Sequence, residues 1–273
     1  MKSLNLIKPE QSEIKYSLTV FPDGEPQISF SDEFDRKESI SVICRITSTE
    51  ELFILTQVGD ILDRQEIEWD LYITYLMSMR MDRVMDFNRP FSLKIVCNIL
   101  NSMNYHEVHI LEPHSEKTLK LLKSSNYSYF DFEGGDLLED YVLVLSDKGA
   151  KDRYDFLLSG YVDYVLFDKV RDLKTGKIQQ FNIAQSTDFS TNKFMFIDDL
   201  CDAGGTFLGE LEILKKEYPN GIYNITVCHA VNPIGIKNLC EHFDNVTITN
   251  SFADFDTRKY KNLTVIDVCN NGN

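Results

Sequence analysis

Lys193-Phe194-Met195-Phe196-Ile197-Asp198-Asp199-Leu200-Cys201-Asp202-Ala203-Gly204-Gly205-Thr206-Phe207 is the stretch on which the reading of this chain turns. Phe194 to Ile197 is a short apolar run, the pattern of a buried strand in a parallel sheet. Two adjacent carboxylates, Asp198 and Asp199, stand at the strand's end. Asp202-Ala203-Gly204-Gly205-Thr206 follows, and Phe207, Leu208, Leu211, Ile213 and Leu214 then recur with helical spacing. A strand feeding a glycine loop that opens a helix makes a phosphate cradle, because backbone N–H groups and the positive end of the helix dipole point at the ligand. The loop lacks the Lys of a Walker A sequence and the glycine spacing of a dinucleotide fingerprint. Paired carboxylates ahead of it can accept hydrogen bonds from the 2- and 3-hydroxyls of a ribose while the loop holds the phosphate on its 5-carbon.

Outward from that stretch the chain reads as a soluble α/β protein. Its 273 residues are enough for two modest domains, and 43% hydrophobic with 26% charged residues is ordinary for a globular chain. A net charge of −15 argues against a broad surface for nucleic acid or an anionic membrane. An acidic protein that binds phosphates must concentrate its Lys and Arg locally and recruit metal ions for the rest. Six scattered cysteines without a CxxC pair read as buried free thiols in a reducing compartment. No apolar run approaches membrane-spanning length, so a cytoplasmic protein is expected.

Residues 16 to 46 alternate like strands around Phe21-Pro22-Asp23-Gly24-Glu25, whose Pro and Asp-Gly are turn chemistry. A helix is expected over Leu52 to Leu62, a strand over Leu71 to Met77, a helix over Pro90 to Met103 with Pro90 in its first turn, and a strand over Val108 to Leu111. Ser124 to Asp140, with Gly134-Gly135, reads as the passage between domains, here placed at 1–134 and 135–273. The second half is expected to run as a strand Tyr141 to Leu145, a loop Asp147 to Arg153, a helix, and a strand Val162 to Phe167. A long polar segment, Asp168 to Asn192, then has the character of a mobile lid. Strands at Ile222 to Cys228, Val246 to Thr249 and Leu263 to Val268, with a helix over Pro233 to Glu241, complete the alternation of a parallel sheet.

Together these stations resemble ribose-phosphate pyrophosphokinase, the phosphoribosyl diphosphate synthetase family. Phe21-Pro22-Asp23-Gly24-Glu25 is similar to the family's Phe-Ser-Asp-Gly-Glu turn. Arg80-Met81-Asp82-Arg83 with Pro90-Phe91-Ser92-Leu93-Lys94 is similar to its Arg-Gln-Asp-(Arg/Lys) and Pro-Ile-(Ser/Thr)-Ala-Lys segments. Glu112-Pro113-His114 stands where the family has Asp-Leu-His, and Ser146 to Arg153 resembles a shortened Ser-Pro-Asp-x-Gly-Gly loop. Asp168-Lys169-Val170-Arg171 matches its Asp-Lys-x-Arg. The resemblance spans about Phe21 to Val268.

The resemblance implies two tandem type I phosphoribosyltransferase-like domains, α/β with parallel sheets flanked by helices. The activity it implies is transfer of the diphosphoryl group of Mg-ATP to the anomeric hydroxyl of ribose 5-phosphate. Lys169 and Arg171 would then be catalytic, on charge-neutralising grounds. Phe21, Asp23, Glu25, Arg80, Asp82 and His114 would bind ATP, the turn acting from a neighbouring subunit of a homo-oligomer. Asp198, Asp199, Asp202, Ala203, Gly204, Gly205 and Thr206 would hold the ribose phosphate. Asp147, Lys148, Gly149, Ala150 and Lys151 would form the diphosphate loop, with His114 and Asp147 on Mg2+. Without the resemblance, plainer readings stand beside these roles: His114 as a cap or core histidine, Lys169 and Arg171 as solvated loop charges, and Arg80 and Arg83 as surface partners of Asp82 or Asp86.

The chain also departs from the family. Met81 replaces a glutamine, one extra residue lies between Arg80 and Arg89, and the resemblance stops short of the family's C-terminal helix. Ala203 replaces a threonine, which removes a hydroxyl worth ~1 kcal/mol to a phosphate monoester. That change opens a second acceptor, ADP-ribose, whose diphosphate-linked 5-substituent carries less charge per phosphate; the product would serve the rebuilding of NAD. A phosphoribosyltransferase that consumes the activated sugar, and a non-catalytic partner of a synthetase, are the readings from other classes.

Overall fold

A computed structural model describes residues 1–31, 34, 37–129, 140–158, 163–171 and 178–270. The chain divides into two compact units, residues 1–130 with 267–273, and residues 131–266.

The first unit is built on a parallel sheet of β1 (Lys2–Asn5), β4 (Ile40–Ile46), β5 (Trp69–Leu76), β6 (Val108–Leu111) and β7 (Ser125–Ser128), neighbours in that order. Helices α1 (Thr49–Arg64), α2 (Ser92–Leu100) and α3 (Lys117–Leu121) make the crossovers from β4 to β7. Each crossover advances the sheet in the same direction, so right-handed connections put all three helices on one face. Leu71, Ile73, Val108 and Ile110 are buried. The alternate positions of β5 and β6 hold Asp70, Tyr72 and His109, and the last two stack with ring centroids 4.4 Å apart.

Helix α1 starts where it does because Ser48 and Glu51 form a capping box. Helix α2 begins at Ser92 with Phe91 as its cap, so Pro90 precedes the helix instead of occupying its first turn. Strands β2 (Tyr16–Val20) and β3 (Pro26–Phe30) form a separate hairpin around the expected turn. Gln57 of α1 ties this hairpin down, accepting from the Ile28 N–H and donating to the Pro26 carbonyl.

The second unit has a seven-stranded sheet in the order β10-β9-β8-β11-β12-β13-β14, parallel except for the β9–β10 pair. The strands are β8 (Val142–Leu145), β9 (Tyr164–Arg171), β10 (Ile178–Ser186), β11 (Lys193–Cys201), β12 (Ile222–Ala230), β13 (Asn245–Thr249) and β14 (Leu263–Ile266). Short helices α4 (Lys148–Arg153) and α5 (Asp155–Leu158) follow β8; α6 (Gly205–Glu217) follows β11 and α7 (Pro233–His242) follows β12. Phe194, Phe196, Phe207, Leu211 and Leu239 share one buried cluster, and Leu143, Leu145, Ala150, Tyr154 and Ile197 another. A sheet covered on both faces explains the nearly continuous apolar runs of its central strands.

Three expectations in the second unit differ from the structure. Strand β11 continues through Asp198 and Asp199 to Cys201, because β12 supplies ladder partners beyond the apolar run. Lys148–Arg153 is a helix and not a loop, started by Asp147, whose side chain caps the Ala150 N–H at 3.0 Å. Asp168 to Asn192 is largely the antiparallel pair β9–β10, with residues 172–177, the centre of the expected lid, outside the described residues. Ser124 to Asp140 opens with strand β7; its remainder, residues 130–139, lies outside the described residues.

All six cysteines are free and five are buried. Among the described residues, no helix is long and apolar enough to cross a membrane.

Candidate functional site

The order of strands in the second unit fixes where a ligand can sit. From β8 the chain moves to one side of the sheet, through β9 to β10. From β11, which pairs with β8, it moves to the other side, through β12 to β14. Neighbouring strands whose connections diverge leave a crevice beyond their carboxyl ends, the place where open α/β sheets bind ligands. The carboxyl end of β8 delivers Ser146 and Asp147. The carboxyl end of β11 delivers Asp198, Asp199 and the glycine loop. The last register pair between these strands is Leu145 with Ile197, so the two aspartates begin where β8 stops.

Arg153 closes that notch. Its Nη1 lies 2.9 Å from Asp199 Oδ1 and 3.3 Å from Asp198 Oδ1, and the three side chains are 10, 4 and 15% exposed. Burial pushes the Asp198 carboxyl well above the ordinary aspartate range, and the adjacent Asp199 charge pushes the same way, only partly offset by Arg153. With Arg153 compensating their charge, the paired carboxyl oxygens can accept hydrogen bonds from a diol.

Beyond the pair, Gly204 is the cap of α6 and has φ +80°, a left-handed conformation that disfavours any residue with a Cβ. Helix α6 begins at Gly205, and the amides of its first turn have no intrahelical acceptor. Helix α7 supports the loop from behind. Asn238 Nδ2 donates to the Ala203 carbonyl at 2.9 Å, and Asn232 Nδ2 donates to Asp202 Oδ1 at 3.2 Å. Gly235 lies so close that a Cβ there would fall 1.8 Å from the Asp202 carbonyl oxygen. Gly205 is exposed and Thr206 is half-buried at the start of the helix.

On the β8 side, Asp147 holds two roles at once. It caps α4 and pairs with Lys169 Nζ at 3.1 Å. Burial alone would raise its carboxyl, but the Lys169 ammonium and the Ala150 N–H outweigh burial and hold it below the usual range. Lys169 is 11% exposed on β9, a fixed charge and not a solvated one. Lys148 and Gly149 are exposed, and Ala150 is buried. Lys151 Nζ donates to the Tyr164 hydroxyl and to Gln185 Oε1, both at 3.0 Å, and so braces the β9–β10 pair. The backbone of Arg171 ends β9; its side chain lies outside what the structure describes.

Two residues in this unit escaped the sequence reading. Arg153 ends the motif over residues 146–153, which by itself implies no role for it. Glu210 of α6 is fully buried, with Ser146 Oγ donating to its Oε2 at 3.0 Å. A signal for Glu210 existed: it falls on the apolar stripe of Phe207, Leu211 and Leu214, where a charge is out of place.

The first unit carries the remaining assigned residues. Phe21 sits at the hairpin tip, 43% exposed, with its N–H donating to the Glu25 carbonyl and Asp23 Oδ1 accepting from the Glu25 N–H. Asp82 is buried and pairs with Arg83 Nε at 2.9 Å and Lys117 Nζ at 3.6 Å. Its burial opposes ionisation, but Arg83 and Lys117 hold the carboxyl below its ordinary range. Arg80 is exposed, and the partly exposed His114 follows β6. Among the described residues, no three His, Cys, Asp or Glu groups converge as a metal cage.

No family model matches the chain. Curated relatives do. It is 26% identical over 244 residues to the ribose-phosphate pyrophosphokinase of Pyrococcus furiosus, covering 85% of this chain and 84% of that protein. It is 23% identical over 272 residues to the ribose-phosphate pyrophosphokinase of Mycoplasmopsis pulmonis, covering 92 and 81%. The crystal structure of phosphoribosylpyrophosphate synthetase from Mycobacterium smegmatis superposes with a TM-score of 0.75 at 18% identity, covering 96% of this chain and 89% of that one. The fold expected from the motifs, two α/β domains with parallel sheets flanked by helices, is borne out. So is the resemblance itself: the chain is a divergent, low-identity relative of these pyrophosphokinases.

Proposed function

We propose that this divergent relative of the ribose-phosphate pyrophosphokinases transfers the β,γ-diphosphoryl group of ATP to the 1-hydroxyl of ribose 5-phosphate, giving phosphoribosyl diphosphate and AMP. One observation carries the reading. The buried aspartate pair, the left-handed glycine turn and the Asp147–Lys169 pair all stand at the carboxyl ends of the two strands that diverge. The aspartates accept the 2- and 3-hydroxyls, while the amides at the start of α6 hold the 5-phosphate. Lys169 is released from Asp147 when a phosphate oxygen offers it a stronger partner, and stabilises the charge on the group in flight. Arg171 is assigned to the same task.

The donor set suits magnesium. Asp147 is ionised and 49% exposed in its side chain. A cation held by one carboxylate and the phosphates of ATP needs no all-protein cage, and His114 is assigned as its further neighbour. When bound, Mg2+ supplies neutralisation of phosphate charge.

ATP is assigned to Arg80, Asp82 and His114, together with Phe21, Asp23 and Glu25 from a second copy of the chain. The exposed apolar tip of the hairpin, Leu18, Val20 and Phe21, supports a homo-oligomer. The free cysteines suit a reducing, cytoplasmic setting.

A second acceptor is favoured by one residue. Ala203 offers no hydroxyl at the phosphate cradle, and ADP-ribose needs one fewer donor there than a monoester. Incubating the protein with Mg-ATP and each sugar, and following AMP, separates the readings. AMP release with ribose 5-phosphate is expected, and release with ADP-ribose alone shifts the assignment to the second acceptor. Pyrophosphate release from phosphoribosyl diphosphate with a nucleobase, without AMP formation, would replace both with a phosphoribosyltransferase.

A further inference from the structure

We infer that Glu210 is a positioning residue that joins the ribose-phosphate half of the site to its diphosphate half. Glu210 lies on α6, the helix whose first turn forms the cradle, and it is 0% exposed. Its Oε2 accepts a hydrogen bond from the hydroxyl of Ser146, itself buried at the end of β8. Its other oxygen, Oε1, is buried with no hydrogen-bond partner among the described residues. A carboxyl buried on an apolar helix face is expensive, and a single hydrogen bond does not offset that expense. A leucine or alanine would serve packing better there, so the cost needs a return elsewhere.

The return lies in what Ser146 holds. The next residue, Asp147, caps α4 through the Ala150 amide and anchors Lys169. The last residue of α4 is Arg153, which clamps Asp198 and Asp199. One chain of contacts therefore runs from the cradle helix through Glu210 and Ser146 to the lysine, and through α4 back to the diol-binding pair. The groups charged or titratable around Glu210 are Lys169, which favours its ionised form, and Asp147, which opposes it. Positional errors near 1 Å at such groups cost large factors in rate, so a residue that fixes the Ser146–Asp147 turn sets turnover without touching substrate.

The role rests on the pyrophosphokinase reading for its rate effect but not for its structural one, and the test reads both. In the full chain, Glu210→Ala is expected to speed hydrogen exchange at the Ala150 and Lys151 amides by roughly five- to tenfold, leaving the amides of β11 and β12 unchanged. Its kcat is expected to fall about tenfold or more, with KM for Mg-ATP within about twofold. Glu210→Gln, which keeps an acceptor at the Oε2 position, should restore exchange and kcat to near wild type. Should Glu210→Ala not fold, Ser146→Ala removes the same hydrogen bond from the other side and is expected to give the same local change. Unchanged exchange at 150 and 151, a uniform rise across the unit, or a Glu210→Gln variant as impaired as Glu210→Ala would each overturn the role. Absence of AMP formation by the wild type would instead overturn the functional reading, with the exchange result still standing.

Discussion

The two units are both parallel α/β sheets, yet their topologies put chemistry in different places. In the first, β1, β4, β5, β6 and β7 lie in sequence order across the sheet, every crossover advances the same way, and no strand pair diverges. In the second, β8 and β11 are neighbours whose connections part. Among the described residues, the second sheet makes a crevice by topology, and charges line it: Arg153 against Asp198 and Asp199, Lys169 against Asp147, and Glu210 bonded to Ser146, whereas the buried carboxylates of the first unit, Asp82 and Glu112, stand at no such divergence. The assigned residues of the first unit sit on turns, at a hairpin tip and after strand ends, with Phe21 and Arg80 exposed. Strand order, and not sheet type, separates the two units, and the proposed division of sugar and nucleotide between them follows that difference.

Substitutions should rank accordingly. Lys169→Ala is expected to lower kcat by ~100-fold or more, from loss of a fixed charge at the transferred group, with the chain still folded by circular dichroism. A kcat within threefold of wild type would move the chemistry out of the second unit. Arg153→Ala leaves two carboxylates buried without their cation and should destabilise the second unit by about 3 kcal/mol, read as a lower denaturant midpoint. A midpoint equal to wild type would mean that the aspartates are hydrated and not clamped.

Glu210 gives an effect that depends on pH. Burial first, and Asp147 after it, push its carboxyl up to about 8 from an ordinary 4.5, against the pull of Lys169 and Ser146. Between those two pH values the folded state holds a proton that the unfolded chain has released. Stability therefore falls as pH rises through that window, by about 1 kcal/mol per unit, and levels off above it. Glu210→Gln lacks this loss, so its Tm should gain on wild type from pH 5 to pH 8; a constant gap would show that Glu210 titrates as an ordinary surface acid. Smallest should be Phe21→Ala in the first unit. An exposed ring is worth about 1 kcal/mol or less to folding but about fivefold in KM for ATP by stacking loss. A kcat loss matching that of Lys169→Ala would erase the contrast between the units.

How much of this was legible follows from the same physics. Strand β6 was read with its bounds, and the sequence from Phe194 to Leu214 announced strand, loop and helix, because apolar runs and glycines report local structure. The β9–β10 pair was read as a lid because Asn182 to Gln185 are exposed, so no alternation marks β10. Helix α4 is six residues long with only Ala150 buried, too short to show a period; its Asp147 cap was the available cue. The Arg153 contact joins residues 45 and 46 positions apart, and nothing local in the chain encodes it. Gly204 could be anticipated from its loop, whereas Gly235 answers to the Asp202 carbonyl packed against it, a contact made only by the fold.

A crystal of the protein grown with ribose 5-phosphate and a non-hydrolysable ATP analogue tests the central claim most directly. The account predicts the sugar's 2- and 3-hydroxyls within 3.2 Å or so of the Asp198 and Asp199 carboxylates, with its phosphate on the amides from Ala203 to Thr206. A sugar bound anywhere else, with the Asp198–Asp199 notch still closed by Arg153 and empty, would contradict it.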